Sequence, residues 1–279
     1  MWHGGSIPKA PILEVVNVSF SYRTERGPLP VLKDISFKVY EGEFVSIIAP
    51  TGTGKTTLLR IIAGLRRPDS GKVILMGEEV TGPTPRLAMV FQDFALFPWL
   101  TALENVELAL LHRKDLSREE RVKLAKKYLE LVGLGGFENY YPRELSGGMK
   151  QRVAIARALA AMPTVLLMDE PFANLDAMTA EGLRSEIYNL IFNEESTVKA
   201  IIMVSHNLEE VVELSDRVLV LGGRPATVIS DIYIDLPRPR SPRDPEFQRY
   251  LDIVYSEIAK SMELIRVVAV GNNGSVKRG

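Results

Sequence analysis

Four short, largely apolar runs constrain the fold of this chain more than any other feature. They cover residues 44–48, 87–91, 165–168 and 201–204, and longer helical or loop-like stretches separate them. A strand that is apolar on both sides has to be buried on both faces, as happens in a parallel sheet with helices on either side. The runs therefore predict an α/β fold whose core is a mainly parallel sheet.

The segments around these runs predict two further parts. Residues 13–20 and 35–39 alternate apolar with polar residues, which is typical of strands with one solvated face. They predict an antiparallel β flank, with a turn-rich connection at residues 23–30. Residues 101 to about 144 are rich in charge, and within them residues 116–134 place apolar side chains on one side of a helix. This pattern predicts a helical insert.

A phosphate-binding loop follows the first apolar run. Residues 49–57 match the pattern G-x-x-x-x-G-K-[ST], except that Ala49 stands at its first position. Alanine is tolerated there if its φ is negative, whereas the two glycines nearer the phosphates let backbone amides turn inward. The lysine can reach the β- and γ-phosphates, and the hydroxyl after it can ligate magnesium. The predicted nucleotide-binding residues are Thr51, Gly52, Thr53, Gly54, Lys55, Thr56 and Thr57.

Polar residues follow the other three runs. Asp169 and Glu170 end the third run, where one carboxylate can hold a metal and the next can accept a proton from water. Gln92 follows the second run and can reach the metal or the attacking water, and His206 follows the fourth as a candidate γ-phosphate contact. Open α/β sheets bind ligands at the carboxyl ends of their strands. These positions, with Lys55, are therefore the candidate catalytic residues.

A second phosphate-recognising element precedes the third run. Ser146, Gly147 and Gly148 open a predicted helix. The first-turn amides of a helix have no internal partner, and the helix dipole adds positive potential at the same end. Such a helix start attracts anions.

Taken in order, these motifs resemble those of the ATP-binding subunits of ABC transporters, over roughly residues 12–255. Six features carry the resemblance, namely Tyr22, the phosphate loop, Gln92, the Leu-Ser-Gly-Gly run at 145–148, the Asp169–Glu170 pair and His206. The resemblance implies a P-loop NTPase core with a helical subdomain, the ABC ATPase fold. It also implies binding of ATP and Mg²⁺, with Thr56, Gln92 and Asp169 as metal ligands.

The resemblance further implies a homodimer. Two such subunits close head to tail, so that residues 146–148 of one cover the γ-phosphate held by Lys55 of the partner subunit. Tyr22 then stacks on adenine. Asp176, in a segment that resembles the D-loop of the family, lies across the dimer near the partner's phosphate loop, although Asn174 replaces the more usual alanine of that segment.

The implied domain limits follow from the same match. Residues 1–11 are an N-terminal tail, residues 12–236 form the ABC ATPase domain, and residues of about 101–160 form its inserted helical subdomain. Residues 237–279 form a C-terminal extension, which is either a regulatory or dimer contact or a partly disordered tail.

A resemblance to one subgroup of the family narrows the type of transporter. Met149, with residues 91–106 and 169–180, resembles importer subunits of the nitrate, sulfonate and taurine type. It implies a transmembrane permease partner, an extracytoplasmic solute-binding protein, and a place on the cytoplasmic face of the cell membrane. The apolar loop at residues 94–100 is either a permease contact or packs on the helical insert.

Composition agrees with these expectations. The formal net charge of −1 gives no general drive toward nucleic acid, and the absence of cysteine excludes disulfides and thiolate chemistry. Arg60, Arg66, Arg67 and the arginines between 238 and 243 are predicted to be solvated charges. No apolar run reaches 18 residues, and residues 1–11 lack the pattern of a secretion signal.

Two other interpretations use the same motor residues. The first is a non-transport ABC ATPase that acts on nucleic acid or the ribosome, which is disfavoured because the chain has one phosphate loop and no long coiled-coil insertion. The second is a regulator that binds nucleotide without hydrolysing it. The joint presence of Glu170, Gln92 and His206 contradicts that second interpretation.

Overall fold

The computed structural model describes residues 10–173, 175, 177–191 and 196–273. These residues form two compact units. The first unit contains the described residues up to Gly82 and from His206 onward, and the second contains those from Pro83 to Ser205. This division does not follow the domain limits expected from the sequence, which stay predictions.

The elements of the first unit come from both ends of the chain. Its strands are β1 (Leu13–Thr24), β2 (Gly27–Val39), β3 (Phe44–Ile48), β4 (Ser70–Leu75), β5 (Glu78–Glu79), β9 (Arg217–Gly222) and β10 (Thr227–Tyr233). Its helices are α1 (Lys55–Ile62), α6 (Leu208–Leu214) and α7 (Pro245–Asn273).

The second unit contains the middle of the chain. Its strands are β6 (Leu87–Val90), β7 (Val165–Asp169) and β8 (Ala200–Val204). Its helices are α2 (Ala102–Glu107), α3 (Arg118–Leu131), α4 (Gly147–Ala160) and α5 (Ala177–Ile191), with short 3-10 segments at Leu108–Leu110 and Pro142–Glu144.

The predicted antiparallel flank is confirmed in the first unit. Four strands pair antiparallel in the order β2-β1-β4-β5. In β1 the side chains of Leu13, Val15, Val18 and Phe20 are buried, while the residues between them are partly or fully exposed. The alternation read from the sequence therefore marks the buried face of this sheet.

The predicted turn at residues 23–30 is wrong in its extent. Strands β1 and β2 stay paired as far as Thr24 and Gly27, so that only residues 25–26 form the turn. Pro28 and Pro30 suggested a longer turn. Proline is tolerated in β2 because this strand lies at the edge of its sheet, where a missing N–H leaves no ladder bond unmade.

The apolar runs form parallel strands in both units. In the first unit β3 pairs parallel with β9, and every residue of the two strands is buried. In the second unit β7 lies between β6 and β8, and all three strands are parallel. The four predicted strands are confirmed to within one residue at each end, because burial on both faces gives an uninterrupted apolar signal.

Helices α2, α3 and α4 pack against one another in the second unit. Thr101 and Ser117 begin α2 and α3, and each forms a capping box with the glutamate three residues later. The helical character predicted for this part of the chain is confirmed. None of the helices in the described ranges is long and apolar enough to cross a membrane.

Of the three arginines between 238 and 243, Arg243 is exposed as predicted, whereas Arg238 and Arg240 are not solvated charges. Arg238 donates hydrogen bonds to Asp216 Oδ1 at 2.6 Å and to the Leu214 carbonyl at 2.7 Å. The Arg240 side chain is only 2% exposed and donates to the carbonyl oxygens of Val212 and Ser215. The last carbonyl groups of a helix lack partners within the helix. Those of α6 accept hydrogen bonds from arginines in the segment that follows β10.

The C-terminal extension contains the last helix of the chain. Residues 245–273 form α7, which packs on β9 and α6 and buries Phe247, Val254 and Ser261. The extension is therefore helical as far as Asn273, and its role as a regulatory or dimer contact stays a prediction.

Replacing Arg240 by methionine tests the structural role of these arginines. The substitution leaves several buried carbonyl groups without their donor, so we expect it to cost about 2–3 kcal/mol of unfolding free energy. Urea unfolding followed by circular dichroism measures this loss. Arg243→Met, at an exposed position of the same segment, is the matched control and is expected to change stability by less than about 0.5 kcal/mol. Equal effects of the two substitutions would contradict the assigned role.

Candidate functional site

The phosphate loop connects β3 to α1 and takes the conformation that its glycines permit. Gly52 has φ of 78° and Gly54 has φ of 100°, both in the left-handed region that side chains disfavour. A Cβ atom at Gly54 would also lie 2.5 Å from Val31 Cγ1. Gly54 is thus required both by its backbone conformation and by the close approach of β2.

Ala49 does not disturb this loop. The positive-φ positions of residues 49–57 are the two glycines, so Ala49 keeps a conformation open to any L-residue. It is 5% exposed and continues the buried end of β3. The departure from the strict pattern is therefore accommodated by the backbone.

Lys55 lies inside its own loop. Its side chain is largely buried, and Nζ donates to the carbonyl oxygens of Ala49 at 2.8 Å and Pro50 at 3.4 Å. Thr53 donates through Oγ1 to the same Pro50 carbonyl at 2.6 Å. Helix α1 has no acidic residue in its first turn, so nothing there offsets the positive end of the helix dipole. The loop fits a polyphosphate chemically, because it offers amides, an ammonium group and hydroxyls.

Tyr22 is fixed to the helix that leaves the phosphate loop. Its hydroxyl and Thr57 Oγ1 are 2.8 Å apart and share a hydrogen bond. Phe20 contacts the Tyr22 ring edge-to-face, with ring centroids 5.0 Å apart. Tyr22 is therefore held in place before any ligand binds, and adenine stacking on it stays a prediction.

Arg66 is not the solvated charge that the sequence suggested. Its guanidinium carbon lies 4.9 Å from the centre of the Tyr22 ring and 5.2 Å from that of Phe20. A guanidinium group stacks favourably on aromatic faces, and the two rings offer it such a surface.

In the second unit, three predicted site residues meet at one edge of the parallel sheet. Asp169 is the last residue of β7 and is 4% exposed, and Glu170 follows it directly. Gln92 comes two residues after β6, the strand that pairs with β7. Parallel strands end at the same edge, so the three residues lie at the carboxyl edge of this sheet.

Glu170 has a strained backbone. Its φ is 48°, in the left-handed region that costs a non-glycine residue about 1–2 kcal/mol. Its N–H donates to the Val204 carbonyl at 2.9 Å, and its own carbonyl accepts from Ala173 N at 3.3 Å. Strain of this kind clusters at functional sites, where the surrounding structure holds it in place.

His206 follows β8 by two residues and belongs to the first unit. It is exposed, and the next residue, Asn207, caps α6 by accepting hydrogen bonds from Glu209 N and Glu210 N. The cap fixes the course of the backbone just after the histidine. The γ-phosphate contact of His206 stays a prediction.

The predicted helix start at the signature residues is confirmed. Ser146 is the N-cap of α4, and its Oγ accepts a hydrogen bond from Met149 N at 3.2 Å. Ser146 and Gly147 are exposed, and the first turn contains no acidic residue. An exposed helix N-terminus of this composition suits an anion. Asp176 and Asn174, predicted in the D-loop, lie outside the described residues.

The predicted metal ligands are chemically suited to magnesium. A hydroxyl at Thr56, an amide at Gln92 and a carboxylate at Asp169 offer hard oxygen atoms, which Mg²⁺ prefers. Within the described ranges no group of three or more His, Cys, Asp and Glu side chains can hold a metal by itself.

The apolar loop at residues 94–100 keeps two large side chains in solvent. Trp99 is 69% exposed and Phe97 is 41% exposed, and their ring centroids are 5.5 Å apart. Packing on the helical insert, one of the two alternatives, therefore leaves much of this pair uncovered. An exposed aromatic pair of this kind is typical of protein contact surfaces.

Two residues that sequence analysis missed hold this loop. Asn105 of α2 is fully buried, and its side chain accepts from Phe97 N and donates to the carbonyls of Phe97, Leu100 and Thr101. Arg157 of α4 donates to the carbonyls of Phe94 and Ala95. The one available signal was a lone arginine in the otherwise apolar stretch 153–160.

Comparison with known proteins agrees with this geometry. A family model described as ABC transporter matches residues 32–173. An uncharacterized ABC transporter ATP-binding protein of Methanocaldococcus jannaschii is 46% identical over 255 residues, which is 90% of this chain and 94% of that protein. The nitrate import ATP-binding protein NrtD of Synechocystis is 44% identical, with 88% of this chain and 94% of that protein covered.

A third relative and a solved structure point the same way. The aliphatic sulfonates import ATP-binding protein SsuB of Bacillus cereus is 42% identical, with 85% of this chain and 91% of that protein covered. A dimeric ATP-binding cassette, solved in a post-hydrolysis state with ADP and Pi, matches 81% of this chain and 100% of its own. Its TM-score is 0.71 at 35% identity. The chain therefore belongs to the ABC transporter family, as an ATP-binding subunit with the ABC ATPase fold.

Proposed function

We propose that this ATPase drives the import of a small anionic solute through a partner permease. Two of its relatives are named for the import of nitrate and of aliphatic sulfonates, and both solutes are anions. The observation that carries the catalytic part is the Asp169–Glu170 pair, a buried carboxylate followed by a strained one at the end of β7. The non-transport alternative is not favoured, because these relatives are transporter subunits.

The first part of the proposal concerns nucleotide binding. Residues 51–57 bind the phosphates of ATP through backbone amides and hydroxyls, and Lys55 supplies a positive charge for the β- and γ-phosphates. Tyr22 provides the stacking surface for adenine. When bound, Mg²⁺ neutralises phosphate charge, and Thr56, Gln92 and Asp169 are the residues that would hold it.

The second part concerns hydrolysis. Glu170 accepts a proton from a water molecule as the water oxygen bonds to the γ-phosphorus. The bond between that phosphorus and the oxygen bridging to the β-phosphate breaks, and ADP and phosphate leave. Gln92 orients the water, and His206 contacts the γ-phosphate.

The third part concerns assembly. Two copies of the chain close head to tail, and residues 146–148 at the start of α4 cover the nucleotide bound to the partner subunit. Asp176 belongs to the same interface. The exposed Phe97–Trp99 pair contacts the permease at the cytoplasmic face of the membrane, and an extracytoplasmic solute-binding protein delivers the solute.

The role of Glu170 is tested by Glu170→Gln. The amide has nearly the same shape but cannot accept the proton, so we expect ATP binding to persist while turnover falls by about 10²–10⁴-fold. Phosphate release and nucleotide titration measure the two properties separately. Glu79→Gln, at an exposed position in β5, is the control and should leave both unchanged. Parent-level turnover in Glu170→Gln would refute the assignment.

The role of Lys55 is tested by Lys55→Ala. Loss of the ammonium group removes a charge-assisted contact to the triphosphate, so the Kd for ATP is expected to rise at least about tenfold. Lys72→Ala, at an exposed position in β4, serves as the control. Titration with a fluorescent ATP analogue measures both, and an unchanged Kd for Lys55→Ala would argue against a phosphate contact.

The permease contact is tested at the exposed aromatic pair. We expect Trp99→Ala to abolish the recovery of a multi-span membrane protein with this chain from solubilised native membranes, because it removes the most exposed part of the surface. Tyr140→Ala is the matched control, since Tyr140 pairs with Phe137 in a second exposed aromatic pair of the same unit. Mass spectrometry identifies the recovered protein. Equal recovery with both variants would place the contact elsewhere.

A further inference from the structure

The turn that follows β6 contains two strained residues in succession. Phe94 has φ of 63° and Ala95 has φ of 46°, and neither is a glycine. Each such residue costs about 1–2 kcal/mol. Two adjacent residues persist in this conformation only if the surrounding structure holds them. The turn also contains Gln92, the predicted ligand of metal or water.

Arg157 is the group that holds this turn. Its Nη2 donates to the Phe94 carbonyl at 2.8 Å, and its Nη1 donates to the Ala95 carbonyl at 2.6 Å. The two nitrogens of one guanidinium group thus bind the carbonyls of the two strained residues. Burial lowers the pKa of Arg157 and the nearby Asp93 carboxylate raises it, yet an arginine stays charged at neutral pH.

Asn105 holds the far end of the same loop. Its side-chain hydrogen bonds to Phe97, Leu100 and Thr101 fix the backbone that presents the exposed aromatic pair. The loop is therefore tied at one end to α4 and at the other end to α2. A displacement of the Phe97–Trp99 pair has to act on one of these two anchors.

The position of Arg157 in α4 gives this anchor its importance. Helix α4 begins at Gly147, directly after the Ser146 cap, and Arg157 lies ten residues farther along. At 1.5 Å per residue, that distance is about 15 Å along one rigid helix. The helix start, the Gln92 turn and the exposed aromatic pair are thus connected within the second unit by direct bonds.

We propose that Arg157 is a positioning residue that holds Gln92 in place and connects the Phe97–Trp99 surface to helix α4. The part concerning catalysis rests on the proposed function, because it takes Gln92 to act on metal or water. The part concerning the loop rests on geometry alone. The two parts have separate measurements.

The first measurement follows the loop by tryptophan fluorescence. The chain has two tryptophans, so Trp2→Phe leaves Trp99 as the sole reporter. In that background we expect Arg157→Met to lower the steady-state anisotropy of Trp99, because the carbonyls of Phe94 and Ala95 lose their guanidinium donors. Arg152→Met is the matched control, since Arg152 also lies in α4 and donates to a backbone carbonyl, that of Val132, at 2.8 Å. This control should leave the anisotropy unchanged.

A thermal melt shows whether each variant is folded. If Arg157→Met does not fold, Arg157→Lys is measured in its place, because it keeps the charge but has a single nitrogen that cannot replace the guanidinium fork. An unchanged Trp99 anisotropy in the folded variant overturns the proposal, and so does an equal decrease in the Arg152→Met control. Neither outcome depends on ATP hydrolysis.

The second measurement is a double-mutant cycle with Gln92. We expect Arg157→Met alone to lower kcat by about tenfold or more through misplacement of Gln92, with little change in the KM for ATP. In a Gln92→Ala background the same substitution should lower kcat by less than about twofold, since there is nothing left to position. Independent, multiplicative effects would mean that Arg157 does not act through Gln92 and would overturn the catalytic part.

The anisotropy measurement, taken with the tests of Glu170 and Lys55, distinguishes failure of this proposal from failure of the proposed function. If Glu170→Gln and Lys55→Ala behave like the parent while Trp99 anisotropy still falls in Arg157→Met, the assigned catalytic roles are wrong and the loop anchor stands. If those two variants behave as expected while the anisotropy does not change, the function stands and the Arg157 proposal fails.

Discussion

Burial of the parallel strands on both faces is the constraint on which the rest of this structure depends. Every residue of β3, β7, β8 and β9 is buried, so these strands have almost no room for ionisable groups. An unpaired charge inside such a layer would cost several kcal/mol. The polar residues needed for phosphate chemistry are therefore confined to the points where the chain leaves a strand. Asp169 marks the limit, because it is the last residue of β7.

The segments that leave the buried strands contain residues with positive φ. After β3 these residues are glycines, and Gly52 and Gly54 take positive φ at little steric cost. After β7 and β6 they are Glu170, Phe94 and Ala95, which have side chains and are strained. Hydrogen bonds hold these residues: Glu170 N–H donates to the Val204 carbonyl, and Arg157 donates to the carbonyls of Phe94 and Ala95.

The sequence predicted what depends on local pattern. The four buried strands, the helix start at Ser146 and the phosphate loop were each predicted to within one residue, because apolar runs, caps and glycine positions act over short distances. The roles of Arg66, Arg157 and Arg240 were not predicted. Each of these arginines binds groups far away in the chain, such as the Tyr22 ring or the carbonyls that follow β6, and nothing in its neighbours along the sequence indicates that. The extent of the β1–β2 turn was predicted wrongly for a related reason. Proline is compatible with a strand only at the edge of a sheet, and the neighbours of Pro28 and Pro30 along the sequence do not indicate that β2 lies there.

The chemistry of the loop anchors separates the path of the loop from its exposed side chains. Arg157 and Asn105 bind the backbone of residues 94–101 and leave its large side chains uninvolved. A backbone carbonyl offers the same acceptor whatever side chain its residue carries. The exposed aromatic side chains therefore take no part in the anchoring. The path of the loop, and with it the proposed place of Gln92, is set by hydrogen bonds to α2 and α4. An anchor through side chains would have made the fit to the partner and the position of Gln92 depend on the same residues.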